Sequence, residues 1–118
     1  MAWHLDKDKP ICPQLTEQLS MMIARGEFEP DARLMSVREV AVKAGVNPNT
    51  VQKAFEQLES KGIIYSVRGS GWFVSPDLTP AKAEAERVVA AKIGGFFAEM
   101  EALGYTPDET KDAVGRWQ

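Results

Sequence analysis

The stretch Gly45–Gly62, GVNPNTVQKAFEQLESKG, decides the fold. It is a helix written with its start and stop signals. Asn47 is a favoured N-cap, and Pro48 takes the first helical position, where its missing N–H leaves nothing unpaired. Val51, Ala54, Phe55 and Leu58 fall at i, i+3, i+4 and i+7, which predicts one buried stripe. Gly62 supplies the left-handed residue that ends the helix. The opposite face carries Asn49, Gln52, Lys53 and Glu56 at the same spacing. Such a face suits a solvated helix as readily as one that reads a partner, so the flanking segments have to decide.

Upstream, only Gly45-Val46-Asn47 separates this helix from another. Ser36 and Glu39 form a capping box ahead of the apolar face Val37, Val40, Ala41 and Ala44. Before that, Pro13 lies in the first turn of a helix from Ile11 to about Arg25, with Ile11, Leu15, Leu19, Met22 and Ile23 inward and Gly26 as its stop. EFEPDARL reads as a turn, and residues 1–10 as an extended segment with Trp3 and Leu5 as its large apolar groups. Downstream, IIYSV and WFVS are rich in β-branched and aromatic residues, and RGSG between them predicts a hairpin. SPDLTP is a linker. Thr79 then caps, and Pro80 starts, a long helix carrying Ala85, Val89, Ile93, Phe96, Met100 and Leu103 at spacings of 3 and 4. Gly104 ends that helix, and Thr106 with Glu109 opens a short last one.

The predicted architecture is mainly α with a small β-hairpin: a winged helix-turn-helix domain over residues 1–76 and a helical tail over 77–118. Composition agrees with a small globular chain, at 118 residues with 44% apolar and 26% charged. The single cysteine, Cys12, excludes an internal disulfide and fits a reducing, cytoplasmic setting. The polar start MAWHLDKDKP is no signal peptide, and no apolar run reaches the length of a membrane span. The net charge is −3, yet it is unevenly spread. Arg33–Ser75 holds six basic and three acidic residues, whereas from Asp77 onward there are five basic and eight acidic. A basic segment joined to an acidic one fits a chain of which only part touches a polyanion.

In a winged helix-turn-helix the third helix enters the DNA major groove. Asn49 and Gln52 carry the amide groups that pair bidentately with adenine, and Lys53 can reach guanine acceptors or phosphate. The amino-terminal end of such a helix aims free N–H groups at phosphate, and Asn47 and Thr50 are small enough to let it approach closely. Arg38, on the preceding helix, can fork onto a phosphate or base edge. Arg68 at the hairpin tip, beside Gly69 and Gly71, suits the negative potential of a minor groove. Glu56 lies a turn deeper, where a carboxylate would face a gap or water rather than phosphate.

The segment RLMSVREVAVKAGVNPNTVQKAFEQLESKGIIYSVRGSGWFV resembles the DNA-binding domain of GntR-type bacterial transcription regulators. The elements SVRE, GVNPNTV, LE..G and RGSG.FV all match that pattern, over about residues 11–75. The resemblance implies helix 48–61 in the major groove, the 63–74 wing in the minor groove, and DNA contacts at Arg38, Asn47, Asn49, Thr50, Gln52, Lys53, Arg68 and Gly69. Gln52 stands where many members have arginine, and Met35 where proline is usual. The tail of roughly 40 residues is shorter than the effector domains of most such regulators and resembles the YtrA subfamily. That subfamily implies dimerisation through the tail and repression of the protein's own operon and neighbouring ABC-transporter genes from a palindromic operator in double-stranded DNA.

The tail stripe Val89, Ile93, Phe96, Met100 and Leu103, with Val88 and Phe97 beside it, exceeds what one small domain covers, which points to a homodimer. Gly94-Gly95 weakens the helix by about 1 kcal/mol per glycine, which fits close approach of a partner helix or a bend. Trp3, Trp72 and Trp117 read as packing residues. His4 and Cys12 have no companions at metal-ligand spacing, so no cofactor or metal is expected. A pocket between tail and winged domain for an unidentified small-molecule effector stays open. No paired carboxylates, Cys–His pair or phosphate loop appears, which argues against an enzyme. The competing reading is a winged-helix protein-interaction module without specific DNA binding.

Overall fold

The computed structural model describes residues 3–118. The elements in chain order are α1 (Ile11–Ala24), α2 (Val37–Ala44), α3 (Pro48–Ser60), β1 (Ile64–Val67), β2 (Gly71–Val74), α4 (Thr79–Ala102) and α5 (Pro107–Arg116). They divide between a compact unit ending at Ala85 and a second one, Glu86–Gln118, so α4 contributes its first turns to one and the remainder to the other.

The first unit is built on α3. Val51, Ala54, Phe55 and Leu58 are all fully buried, as their spacing requires. They meet Leu15, Leu19 and Ile23 of α1, Val40 and Ala41 of α2, and Ile63, Ile64 and Val74 around the hairpin. Burying each of the larger side chains contributes about 1.5–3 kcal/mol, so this shared core is what holds the three helices at fixed angles. The helix boundaries follow the predicted chemistry. Ser36 and Glu39 close a reciprocal capping box on α2, and Asn47 Oδ1 accepts the Asn49 amide at 2.8 Å. Gly45 and Gly62 stop α2 and α3 with φ of 69° and 78°, where any side chain would be strained.

The hairpin pairs antiparallel, Ile64 with Val74 through Val67 with Gly71. Because strand side chains alternate, Ile64, Ser66, Trp72 and Val74 share the face toward α3, and Tyr65, Val67 and Phe73 share the outer one. On the inner face Trp72 stands edge-on to Phe55 at 5.6 Å. On the outer face Tyr65 stacks on Phe73 at 5.7 Å, and its hydroxyl donates to Asp31 Oδ1 at 2.7 Å.

Three local readings are corrected. EFEPDARL is not turn alone: Arg33 pairs with Phe73 along the outer edge of β2, and the Leu34 amide donates to the Trp72 carbonyl at 2.8 Å. A pairing this short leaves no alternation for a sequence to display. Thr79 is not the cap of α4 but its first residue. Asp77 Oδ1 accepts the Thr79 amide at 2.9 Å, after Ser75 Oγ has taken the Asp77 amide. Trp3 and Trp72 pack against the core as expected, but Trp117 is 84% exposed.

The segment expected to be extended is so only in part: residues 3–6 carry no regular structure, residues 7–9 turn with the Lys9 amide donating to the Asp6 carbonyl at 3.2 Å, and residues 1–2 lie outside the described residues. Gln18 exchanges hydrogen bonds with the backbone of His4, and Gln14 with that of Asp6. A period of two on an extended chain thus meets a period of four on a helix, each amide side chain standing in for a neighbouring strand. Lys7 Nζ reaches the Ala44 and Gly45 carbonyls, where a cation at a helix carboxyl end is favoured.

Candidate nucleic-acid interface

The outer face of α3 presents Asn49, Gln52, Lys53 and Glu56 to solvent, while Thr50 is half-buried. Asn47 is exposed too, but its side-chain oxygen is engaged in capping, which leaves Nδ2 as the available part of that amide. Arg38 is exposed on the first turn of α2, across the three-residue turn from α3. Arg68 and Gly69 are exposed at the hairpin tip, where Gly69 has φ 80° and the Ser70 amide closes the turn on the Val67 carbonyl at 2.9 Å. Asn47 through Lys53 therefore share the opening turns of one helix, and Arg38 and Arg68 come from flanking elements. Among the described residues, no hydrogen bond or ion pair links Arg38, Gln52, Lys53 or Arg68 to another side chain.

Charge is arranged the same way. Lys9, Arg25 and Lys61 pair with Asp6, Glu27 and Glu84. By contrast Arg33, Arg38, Lys43, Lys53 and Arg68 enter no ion pair among the described residues. Two nearby acids are occupied with other work. Glu39 holds the cap of α2, and the Ser36 backbone N–H, followed by the Ser36 hydroxyl, lowers its pKa below the ordinary value. Glu59 Oε2 accepts from both the hydroxyl (2.7 Å) and the amide (3.2 Å) of Ser66. A surface with five unpaired cations, on which Glu39 and Glu59 are tied down locally and Glu56 is left exposed, has the net electrostatics a polyanion requires.

The Glu59–Ser66 grip is a positioning contact that sequence reasoning missed. It joins the last turn of α3 to β1, so the hairpin and α3 are held to each other by more than the apolar core. The signal was faint, since a Glu seven residues before a Ser has no fixed meaning until the turn at Gly62 brings them together. Arg33 was missed for a related reason: it counted toward local charge, but its strand pairing was invisible.

Residues 13–74, more than half of the chain, match the family described as "Bacterial regulatory proteins, gntR family". The chain belongs to the GntR family. It is similar over 97% of its length, and over 100% of the other chain, to a GntR family transcriptional regulator from Listeria monocytogenes, at 32% identity and a TM-score of 0.81. It is 38% identical over 77 residues to the transcriptional repressor YtrA of Bacillus subtilis (strain 168), spanning 65% of this chain and 59% of that protein. The DNA-binding domain of AraR, solved in complex with operator ORE1, aligns at 31% identity and a TM-score of 0.53, covering 64% of this chain and 94% of that one.

The expected winged helix, mainly helical with one small antiparallel hairpin, is thus the GntR fold, and the likeness to YtrA holds as expected. The protein is a DNA-binding transcription regulator, and its relatives are regulators rather than enzymes. No helix of the described residues is long and apolar enough to cross a membrane.

The second unit of this GntR regulator leaves much apolar surface uncovered. Val89, Ile93 (52%), Phe96 and Leu103 (73%) are exposed along α4, while Phe97 and Met100 are half-buried. Phe96 and Phe97 meet edge to face at 5.9 Å. Phe96 and Met100 of α4, with Ala113 and Val114 of α5 and Trp117, line an open groove of about 390 Å³. A Cβ at Gly94 or Gly95 would meet nothing within 4 Å, so nothing within this unit requires glycine there.

Proposed function

We propose that this regulator is a dimeric repressor that reads a palindromic operator, working in the cytoplasm. Residues 1–76 form the DNA-binding part and 77–118 the dimerisation tail. Helix 48–61 lies in the major groove, with Asn49, Gln52 and Lys53 toward base edges and Asn47 and Thr50 near the backbone. Arg38 takes a phosphate or base edge, and the 63–74 wing lowers Arg68 and Gly69 into the flanking minor groove. Val89, Ile93, Phe96, Phe97, Met100 and Leu103 supply the contact between protomers. Its targets, as for the subfamily it resembles, are its own operon and neighbouring ABC-transporter genes.

The observation that carries this reading is the coincidence of an exposed, capped α3 face with Arg38, Lys53 and Arg68, all without ion-pair partners among the described residues. For the dimer, the support is the uncovered apolar row on α4. In-vitro selection of duplex DNA tests the whole at once. A motif with two inverted half-sites about one or two helical turns apart is expected. In a parallel selection, Gln52→Ala should lose discrimination at one position per half-site, by about 1–3 kcal/mol. No enrichment with the wild-type protein would sink the reading; an unchanged motif in the variant would remove Gln52 from it.

A further inference from the structure

Arg33 lies outside every DNA contact assigned so far. Its backbone pairs with Phe73 on the outer edge of β2, which places its side chain on the outer face of the wing with Phe73 and Tyr65. From there the guanidinium runs diagonally toward the tip. A Cβ built on Gly71 would meet Arg33 Nε and Nη2 at 3.5 Å each. Diagonal neighbours on paired strands lie within reach of long side chains, so the pairing itself sets this direction. Gly71 has φ 117°, a conformation that only glycine adopts without strain, and the flat backbone it leaves is the surface on which the guanidinium rests. Arg33 is exposed, and no carboxylate pairs with it among the described residues. The acid that senses it, Glu39, is held in the α2 cap and feels Arg33 only as its smallest influence.

We infer that Arg33 is a further DNA-binding residue, which takes a backbone phosphate on the outer flank of the wing. This rests on the minor-groove reading of the wing. A minor groove is only about 6 Å wide, so a hairpin tip inserted into it has a phosphate backbone close on each side. Arg68, at the very tip, points a cation toward the floor. Arg33 lies behind the tip and across the flank, where the wall passes and base edges are out of reach. A contact of this kind positions the protein and adds affinity without reading sequence. The planar guanidinium can fork onto one phosphate, and its lack of an internal partner means nothing has to be broken first.

The test is the salt dependence of binding to the selected operator and to random duplex, followed by fluorescence anisotropy for wild type, Arg33→Gln and Arg33→Lys. Arg33→Gln keeps most of the stem that packs over Gly71 and removes the charge. It should weaken both duplexes alike, by about 5- to 20-fold, and reduce the slope of log K against log salt by about 1. Arg33→Lys should regain that slope. An Arg33→Gln slope equal to wild type overturns the assignment, whatever its affinity, as does a loss confined to the operator. Circular dichroism across the same salt series shows whether a variant stays folded, and with a constant folded fraction the slope decides. A wild-type protein that binds no duplex at low salt brings down the DNA reading itself, an outcome distinct from failure at Arg33 alone.

Discussion

Up to Ala85 the chain covers most of its large apolar side chains, Val42 and Val67 excepted, and leaves five cations unpaired; beyond it, large apolar side chains stand uncovered. In the first unit Leu15, Leu19, Phe55, Leu58 and Ile64 are buried, yet Arg33, Arg38, Lys43, Lys53 and Arg68 have no ion-pair partner among the described residues. In the second, Val89, Ile93, Phe96, Leu103, Val114 and Trp117 stand exposed. The α5 cap there is nonetheless complete, with Thr106 and Glu109 in reciprocal hydrogen bonds. Each unit is therefore well made locally and unfinished in one respect. Unopposed charge is answered by a polyanion, and uncovered apolar surface by another apolar surface. The contrast matches the two tasks proposed for the chain, and if they divide this way each should be removable without the other.

The largest effect should come from the tail. Ile93→Glu places a charge in the exposed row of α4 at a position where the isolated protomer loses no core contact. We expect a monomer by size-exclusion chromatography with light scattering, with unchanged helicity by circular dichroism. Affinity for a two-half-site duplex should fall by about 100-fold or more, because the second half-site no longer benefits from being tethered to the first. Affinity for a single half-site should hardly change. A variant that stays dimeric would move the interface away from this row and break the proposed division between the units.

Arg68→Ala should do the reverse: leave the dimer intact and weaken operator binding by about 10-fold, or ~1.4 kcal/mol. The side chain is exposed at the hairpin tip and touches no described partner, so the melting temperature should not move. A gel-shift titration with unchanged affinity would remove the tip from the interface and leave the reading to α3 alone.

The same contrast explains how far the sequence could be read. Capping and periodicity are local, so Asn47–Pro48, the Ser36–Glu39 box and the stripe from Val51 to Leu58 declared α2 and α3 outright. Register between distant segments is not local. The pairing of Arg33 with Phe73, the grip of Glu59 on Ser66, and the clamp of Gln14 and Gln18 on the leading segment depend on which residues the fold brings together. Thr79-Pro80 mimics an N-cap and first-turn pair, but the Asx turn at Asp77 starts the helix one residue sooner. Trp117 read as a packing residue because tryptophan is usually at least half covered. Its exposure belongs with the rest of the uncovered tail. For the proposed interface, candidate residue types can be named from the sequence because recognition chemistry is a property of side chains. The wing's attachment was not, since it is a property of the assembled core.

The smallest effect concerns pH, and it asks whether the caps in the two units act alike. Glu39 in α2 and Glu109 in α5 each return a hydrogen bond to their capping residue. Each has its pKa lowered, first by the backbone N–H it accepts and then by the neighbouring hydroxyl. A carboxylate with a lowered folded-state pKa binds fewer protons folded than unfolded, so stability rises with pH across that interval. The contribution is complete above the ordinary value near 4.5 and is lost as pH falls through the lowered one. Glu39→Gln keeps an acceptor oxygen for the Ser36 amide but cannot titrate. Denaturant unfolding of this variant should match wild type closely at neutral pH and show a shallower fall in stability below about pH 4.5. Both side chains are solvent-exposed, so each difference should be small, and Glu109→Gln should show one of similar size if the tail helix unfolds together with the winged unit. A pH response lost at Glu39 but kept at Glu109 would mean that the two units melt separately, which is the sharpest form the contrast between them can take.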